Sequence, residues 1–107
     1  MNFIPRTPVA VQGHVFQACF WILCLARTAD GRMTTDPERG PIEGRGLFRE
    51  RYGFDELDRL EVDIGRHADI THARPGDRLS LDDARVFEVA AVAPGEGGRI
   101  VLELARA

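Results

Sequence analysis

Residues 74–107 read RPGDRLSLDDARVFEVAAVAPGEGGRIVLELARA, and their punctuation decides the fold. Pro75-Gly76 couples a preset φ to a residue that tolerates positive φ, which is the chemistry of a tight turn. Leu79 and Leu81 then alternate with Arg78 and Ser80. Asp82-Asp83 turns the chain into a run where Phe87, Val89 and Ala91 share a face. The glycine-rich loop APGEGG follows, and Ile100, Leu102 and Leu104 return on one side. Short alternating segments at regular spacing, separated by turn residues, predict an antiparallel meander.

Working back toward the N-terminus, residues 61–70 (EVDIGRHADI) place Val62, Ile64, Ala68 and Ile70 on one face with charges between, as a half-buried strand does. Residues 51–59 turn through Gly53, and 42–50 regain strand character through Ile42, Leu47 and Phe48. Residues 28–44 hold Gly31, Pro37, Gly40, Pro41 and Gly44, which forbid a regular element across the segment, so 28–41 is expected to project as a long loop. Residues 14–27 are rich in aromatic and β-branched types (Val15, Phe16, Phe20, Trp21, Ile22). Their reading is a short helical or irregular start, then a strand near 20–27. Residues 1–13, with two prolines and a closing glycine, read as an extended arm. The expected fold is one domain over 1–107: mainly β, a small antiparallel barrel or sandwich of about six strands over 14–107. An N-terminal arm or short helix and a long inter-strand loop complete it. Closure would remove exposed strand edges.

The 107 residues suffice for one modest core. All fourteen basic residues are arginine, the net charge is −3, and no basic run occurs, which disfavours nucleic-acid recognition. Cys19 and Cys24 lie in one apolar run, CFWILC, and five positions apart on a strand they face opposite sides, so they read as buried small hydrophobes. The run VFQACFWILCLA is about twelve residues, short of the roughly 20 a membrane span needs. A signal peptide is the sharper rival, with Arg6 ahead and Ala26 and Ala29 behind, but Gln17 interrupts the core and no clean cleavage site follows.

The residues of chemistry do not converge in the sequence. His14, His67 and His72 lack partners at metal-ligand spacing. The single serine, Ser80, sits between two core leucines and not on a nucleophile elbow. Asp55/Glu56 and Asp82/Asp83 are doublets of the kind that solvate turns. GEGG at 95–98 joins two strands, with neither a helix N-terminus nor a lysine to hold phosphate. The expectation is a protein that is no enzyme and takes no cofactor or metal.

The order of motifs is more informative. Arg45-Gly46-Leu47-Phe48, then Gly76 to Leu81 (GDRLSL), Phe87 with Val89 and Val92, and Ile100 to Leu104 after a glycine turn occur in that sequence. This arrangement resembles the head–tail joining, or head-completion, proteins of long-tailed phages, the family of the lambda head–tail joining protein, over roughly residues 42–106. The resemblance implies a structural virion protein of the neck, made in the host cytoplasm. It would form a sixfold or twelvefold ring between a portal or adaptor protein and a tail-terminator or tail-tube protein. Double-stranded DNA would pass through the ring lumen, with no membrane, catalysis or cofactor. A tail-completion or tail-terminator ring, or a generic OB- or SH3-like binding barrel, is the alternative reading.

The contact residues expected from that reading are of types enriched at interface hot spots: Arg32, Met33 and Arg39 on the long loop, and Arg49, Arg51, Tyr52 and Phe54 at the turn. Glu61, Asp63 and Asp69 are the expected acidic lining of the lumen, where they would let DNA slide without adhering.

Overall fold

The computed structural model describes residues 14–53, 56–82 and 84–107. The expected arm, 1–13, and Phe54 lie outside the described residues. Among the described residues eight strands form: β1 (Val15–Leu23), β2 (Leu25–Arg27), β3 (Met33–Thr35), β4 (Ile42–Arg49), β5 (Asp58–Asp63), β6 (Arg78–Leu81), β7 (Val86–Pro94) and β8 (Arg99–Arg106), with a 3-10 helix at Ala68–His72. Six of them close into an antiparallel barrel in the order β1-β4-β5-β8-β7-β6, and β2 with β3 makes a separate two-stranded sheet. Closure comes from β1 alone. Val15 to Ile22 pair with β4, and Phe20 to Leu23 also pair with β6.

Period-2 burial fills the barrel. Ala18, Phe20 and Ile22 of β1, Leu60 and Val62 of β5, Leu79 and Leu81 of β6, Phe87 and Val89 of β7, and Leu102 and Leu104 of β8 all face inward. Phe48 of β4 lies 5.4 Å from Phe16 and 5.7 Å from Phe87, centroid to centroid, and so links β1, β4 and β7. Ile70 of the 3-10 helix is fully buried and completes the core.

Several turns form as their sequences demand. Asp77 N–H donates to Arg74 C=O at 3.1 Å around Pro75-Gly76, with Gly76 at φ 97°. Gly97 and Gly98 both take positive φ, 65° and 75°, as Arg99 N–H reaches Glu96 C=O, the pattern of a two-residue hairpin turn.

The structure also corrects the expectations. The helical or irregular start expected within 14–27 is a strand instead: β1 is extended from Val15, which pairs with Arg49 at once. Its alternation is hidden in the sequence because the outward positions Val15, Trp21 and Leu23 are apolar too. Cys19 is exposed rather than buried, whereas Cys24 is buried and both are free thiols. The segment 28–41 is not wholly a loop, because β3 pairs with β2.

The strand expected over 61–70 is instead Asp58–Asp63. Asp63 C=O takes the N–H of Arg66 and His67 while its Oδ1 takes that of Gly65, so the carboxylate and carbonyl together end the ladder. On β7 the register shifts between Val89 and Ala91, a bulge that turns Ala91 outward against Glu103 and sets Val92 against core Leu102.

Glycine at 46 is required by close approach. A Cβ there would sit 2.7 Å from Glu61 C=O on β5. The His67 ring occupies the place a side chain on Gly44 would take, with Nδ1 at 2.7 Å from that Cβ position. Among the described residues no helix is long and apolar enough to cross a membrane.

Candidate interaction surface

At the Val15 end of β1, the chain between β4 and β5 is held by carboxylates that capture backbone donors. Tyr52 N–H donates to Glu56 Oε1 at 3.1 Å and Arg51 N–H to Asp58 Oδ1 at 2.8 Å. Glu50 N–H donates to His14 C=O at 2.8 Å, while the His14 Nδ1 lies 3.2 Å from the Glu50 carboxylate. These bonds shape a hollow of about 210 Å³ lined by Val15, Arg49, Arg51, Tyr52, Leu57 and Arg59, together with Glu50 and Glu56. Tyr52 is 71 % exposed, and Val15 and Leu57 are exposed as well. An exposed tyrosine and two aliphatics ringed by arginines have the composition of a contact hot spot.

The hollow stands on Asp58, a carboxylate buried under the barrel end. Arg106 Nε donates to Oδ2 at 2.9 Å and Arg106 Nη2 to Oδ1 at 3.3 Å. Burial pushes the Asp58 pKa up, but the hydrogen bonds from Arg106 and from the Arg51 N–H, with the charges of both arginines, outweigh it and hold the carboxyl below the usual aspartate range. A depressed folded-state pKa contributes stability above the unfolded value, roughly 3.9, and that contribution disappears as pH falls through the lower folded value. The wild type is therefore expected to lose unfolding free energy below about pH 4 more steeply than Asp58→Asn, as measured by urea titration at stepped pH. Parallel acid limbs for the two proteins would contradict this.

Those expected contact residues that are described separate into three places. Arg49, Arg51 and Tyr52 converge on the hollow just described. Arg32 and Met33 lie exposed on the β2–β3 hairpin, with Arg32 Nε 3.2 Å from the Asp30 carboxylate. That hairpin leaves the barrel at Cys24, so it sits beyond the opposite end of β1 from the hollow. Arg39 is a correction: it is only 7 % exposed and presents no solvated contact. Its Nη1 and Nη2 fork the Asp77 carboxylate at 2.7 and 2.9 Å, and Nε reaches Asp36 at 2.8 Å. The same two nitrogens donate to His72 C=O and Leu25 C=O. Asp77 in turn accepts the N–H of Leu25 and of Arg74, so the clamp ties hairpin to barrel.

The acidic residues expected to line a lumen do not form an acidic face. Glu61 is bracketed by Arg49 Nε at 2.7 Å and Arg99 Nη1 at 3.7 Å. Asp63 lies in the same hollow as Arg45, Arg66 and Arg99, and Asp69 is exposed on the 3-10 helix. Sequence reasoning missed Val15, Leu57 and Arg59 as partners of Tyr52, because cross-strand register brings Val15 against Arg49 and Arg49 against Arg59. Among the described residues no group of three or more His, Cys, Asp and Glu is placed to hold a metal ion. Comparison of the chain with family models, curated proteins and solved structures finds no match.

Proposed function

We propose that this chain is a structural protein of a phage neck, a ring subunit that joins the DNA-filled head to the tail and lets DNA pass through the ring's lumen. The observation that carries the reading is the gathering of Arg49, Arg51 and Tyr52 with exposed Val15 and Leu57 at one end of a closed barrel. Closure pairs each of the six strands with two neighbours, so partners are engaged mainly through side-chain surfaces and appended segments. A joining subunit also needs distinct surfaces for different neighbours, since head-to-tail rings and stacked partners each use two unlike patches. The hollow and the β2–β3 hairpin, at opposite ends of β1, supply two such patches.

Binding to purified portal or adaptor rings tests the reading. The wild-type chain is expected to bind, and Tyr52→Ala to weaken binding by roughly 30-fold or more, the size of a hot-spot loss, with thermal stability unchanged. Binding to tail tube instead of portal would move the role to tail completion. Binding to neither would overturn it.

One observation favours a second reading, a nucleic-acid-binding barrel. Trp21 is 41 % exposed on the outer face of β1, above an open apolar groove with Cys19, Ser80 and Leu81. An exposed aromatic on a strand face is a stacking platform for bases. Quenching of Trp21 fluorescence by single-stranded DNA at low salt would support it, and an unchanged spectrum would dismiss it.

A further inference from the structure

A hollow of about 450 Å³ lies on the outer wall of the barrel away from the Tyr52 end. Its lining includes Arg45 from β4, Arg66 from the turn after β5, and Arg99 from the start of β8. Gly46 belongs to its lining, and the absence of a side chain there is enforced by the Glu61 carbonyl. Three guanidinium groups from three separate segments thus border one space.

These arginines are loosely held. The Arg45 side chain makes only a 4.0 Å contact with Cys19 Sγ, Arg66 Nε stands 4.0 Å from Asp63, and Arg99 Nη1 stands 3.7 Å from Glu61. Each of the two carboxylates of the hollow divides its oxygens between these arginines and a closer partner. Glu61 Oε2 takes Arg49 at 2.7 Å from outside the hollow, and Asp63 Oδ1 takes the Gly65 N–H at 2.9 Å. His67 positions the wall: its Nε2 accepts the Arg45 N–H at 3.3 Å, and its ring packs on Gly44. That contact pins the turn carrying Arg66 beside the strand carrying Arg45.

We propose that this hollow binds a phosphate group. Guanidinium forks match the oxygen edges of a tetrahedral oxyanion, and each N–H···O bond to it is charge-assisted. A single carboxylate would satisfy one fork, whereas a phosphate dianion offers enough oxygens for three. The group can come from free phosphate or from the phosphodiester backbone of a nucleic acid; the charge-assisted guanidinium bonds are shared, but each diester phosphate offers only two terminal oxygens and so engages fewer forks. The phosphate-binding groups, Arg45, Arg66 and Arg99, are not among the residues that carry the neck reading, so each can fail without the other.

The test is a titration of the full-length chain, followed by the amide resonances of Arg45, Gly46 and His67, with inorganic phosphate in one arm and a short DNA duplex in the other. Saturable shifts at these amides are expected, half-complete on the order of 1 mM for phosphate. Arg45→Ala and Arg66→Ala, both at exposed positions that leave the core intact, are expected to weaken binding about tenfold each, while Arg32→Ala on the distant hairpin leaves it unchanged. Tighter saturation by the duplex identifies the backbone source, and saturation by phosphate alone identifies the free ion or a monoester. Linear, unsaturated shifts with both probes, or equal binding by all three variants, would overturn the proposal.

Discussion

Arg39→Ala is expected to lower the unfolding free energy by about 3–5 kcal/mol, the cost of leaving one partner of a buried ion pair uncompensated. The magnitude follows from burial. Arg39 and Asp77 are 7 % and 1 % exposed, so solvent neither screens the pair nor replaces the lost partner. Arg39 makes five hydrogen bonds, one to Asp36, two to Asp77 and one to each of the carbonyls of His72 and Leu25. Without it, Asp77 loses both guanidinium donors, and the two carbonyls lose a donor. Arg39→Lys is expected to recover little, because an ammonium cannot fork Asp77 and reach Asp36 together. Urea unfolding measures the loss, and hydrogen exchange locates it: the Leu25 amide should lose protection in Arg39→Ala, because it bonds the carboxylate that Arg39 holds in place. A loss below 1 kcal/mol with Leu25 still protected would mean that the hairpin is fastened by something else.

Phe48→Ala is expected to cost a similar amount, about 3–5 kcal/mol, for a different reason. The ring is fully buried and contacts Phe16 and Phe87, and the Arg85 guanidinium lies over it at 5.0 Å. Truncation removes transfer free energy, opens a cavity that strands on three sides cannot collapse into, and ends two aromatic contacts worth roughly 0.5–1.5 kcal/mol each. Phe48→Leu, which keeps most of the volume, should lose much less. Equal losses for the two variants would show that volume is not what Phe48 supplies.

The last third of the chain was readable because its elements carry their own punctuation. Leu79/Leu81 and Ile100/Leu102/Leu104 alternate against polar neighbours, and Gly76, Gly97 and Gly98 take the positive φ that their turns need. β1 resisted reading because both of its faces are apolar, which leaves no period to detect. The three residues of β3, Met33 to Thr35, are all exposed and too few to show alternation.

Arg39 was misplaced for a deeper reason. Its burial is imposed by Asp77, 38 positions away, and a local window sees only a charge among prolines and glycines. The contact site was half legible. Residue type picked out Arg49, Arg51 and Tyr52, but Val15 and Leu57 join them through barrel register that no short motif encodes.

The most direct measurement of the joining role is complementation of particle assembly. The gene is deleted from the element that carries it and the products are imaged by electron microscopy. Separate DNA-filled heads and free tails, which rejoin when the purified chain is added and fail to rejoin with Tyr52→Ala, are the result expected. Normally joined particles in the deletion, or separated parts that the purified chain does not rejoin, would contradict it.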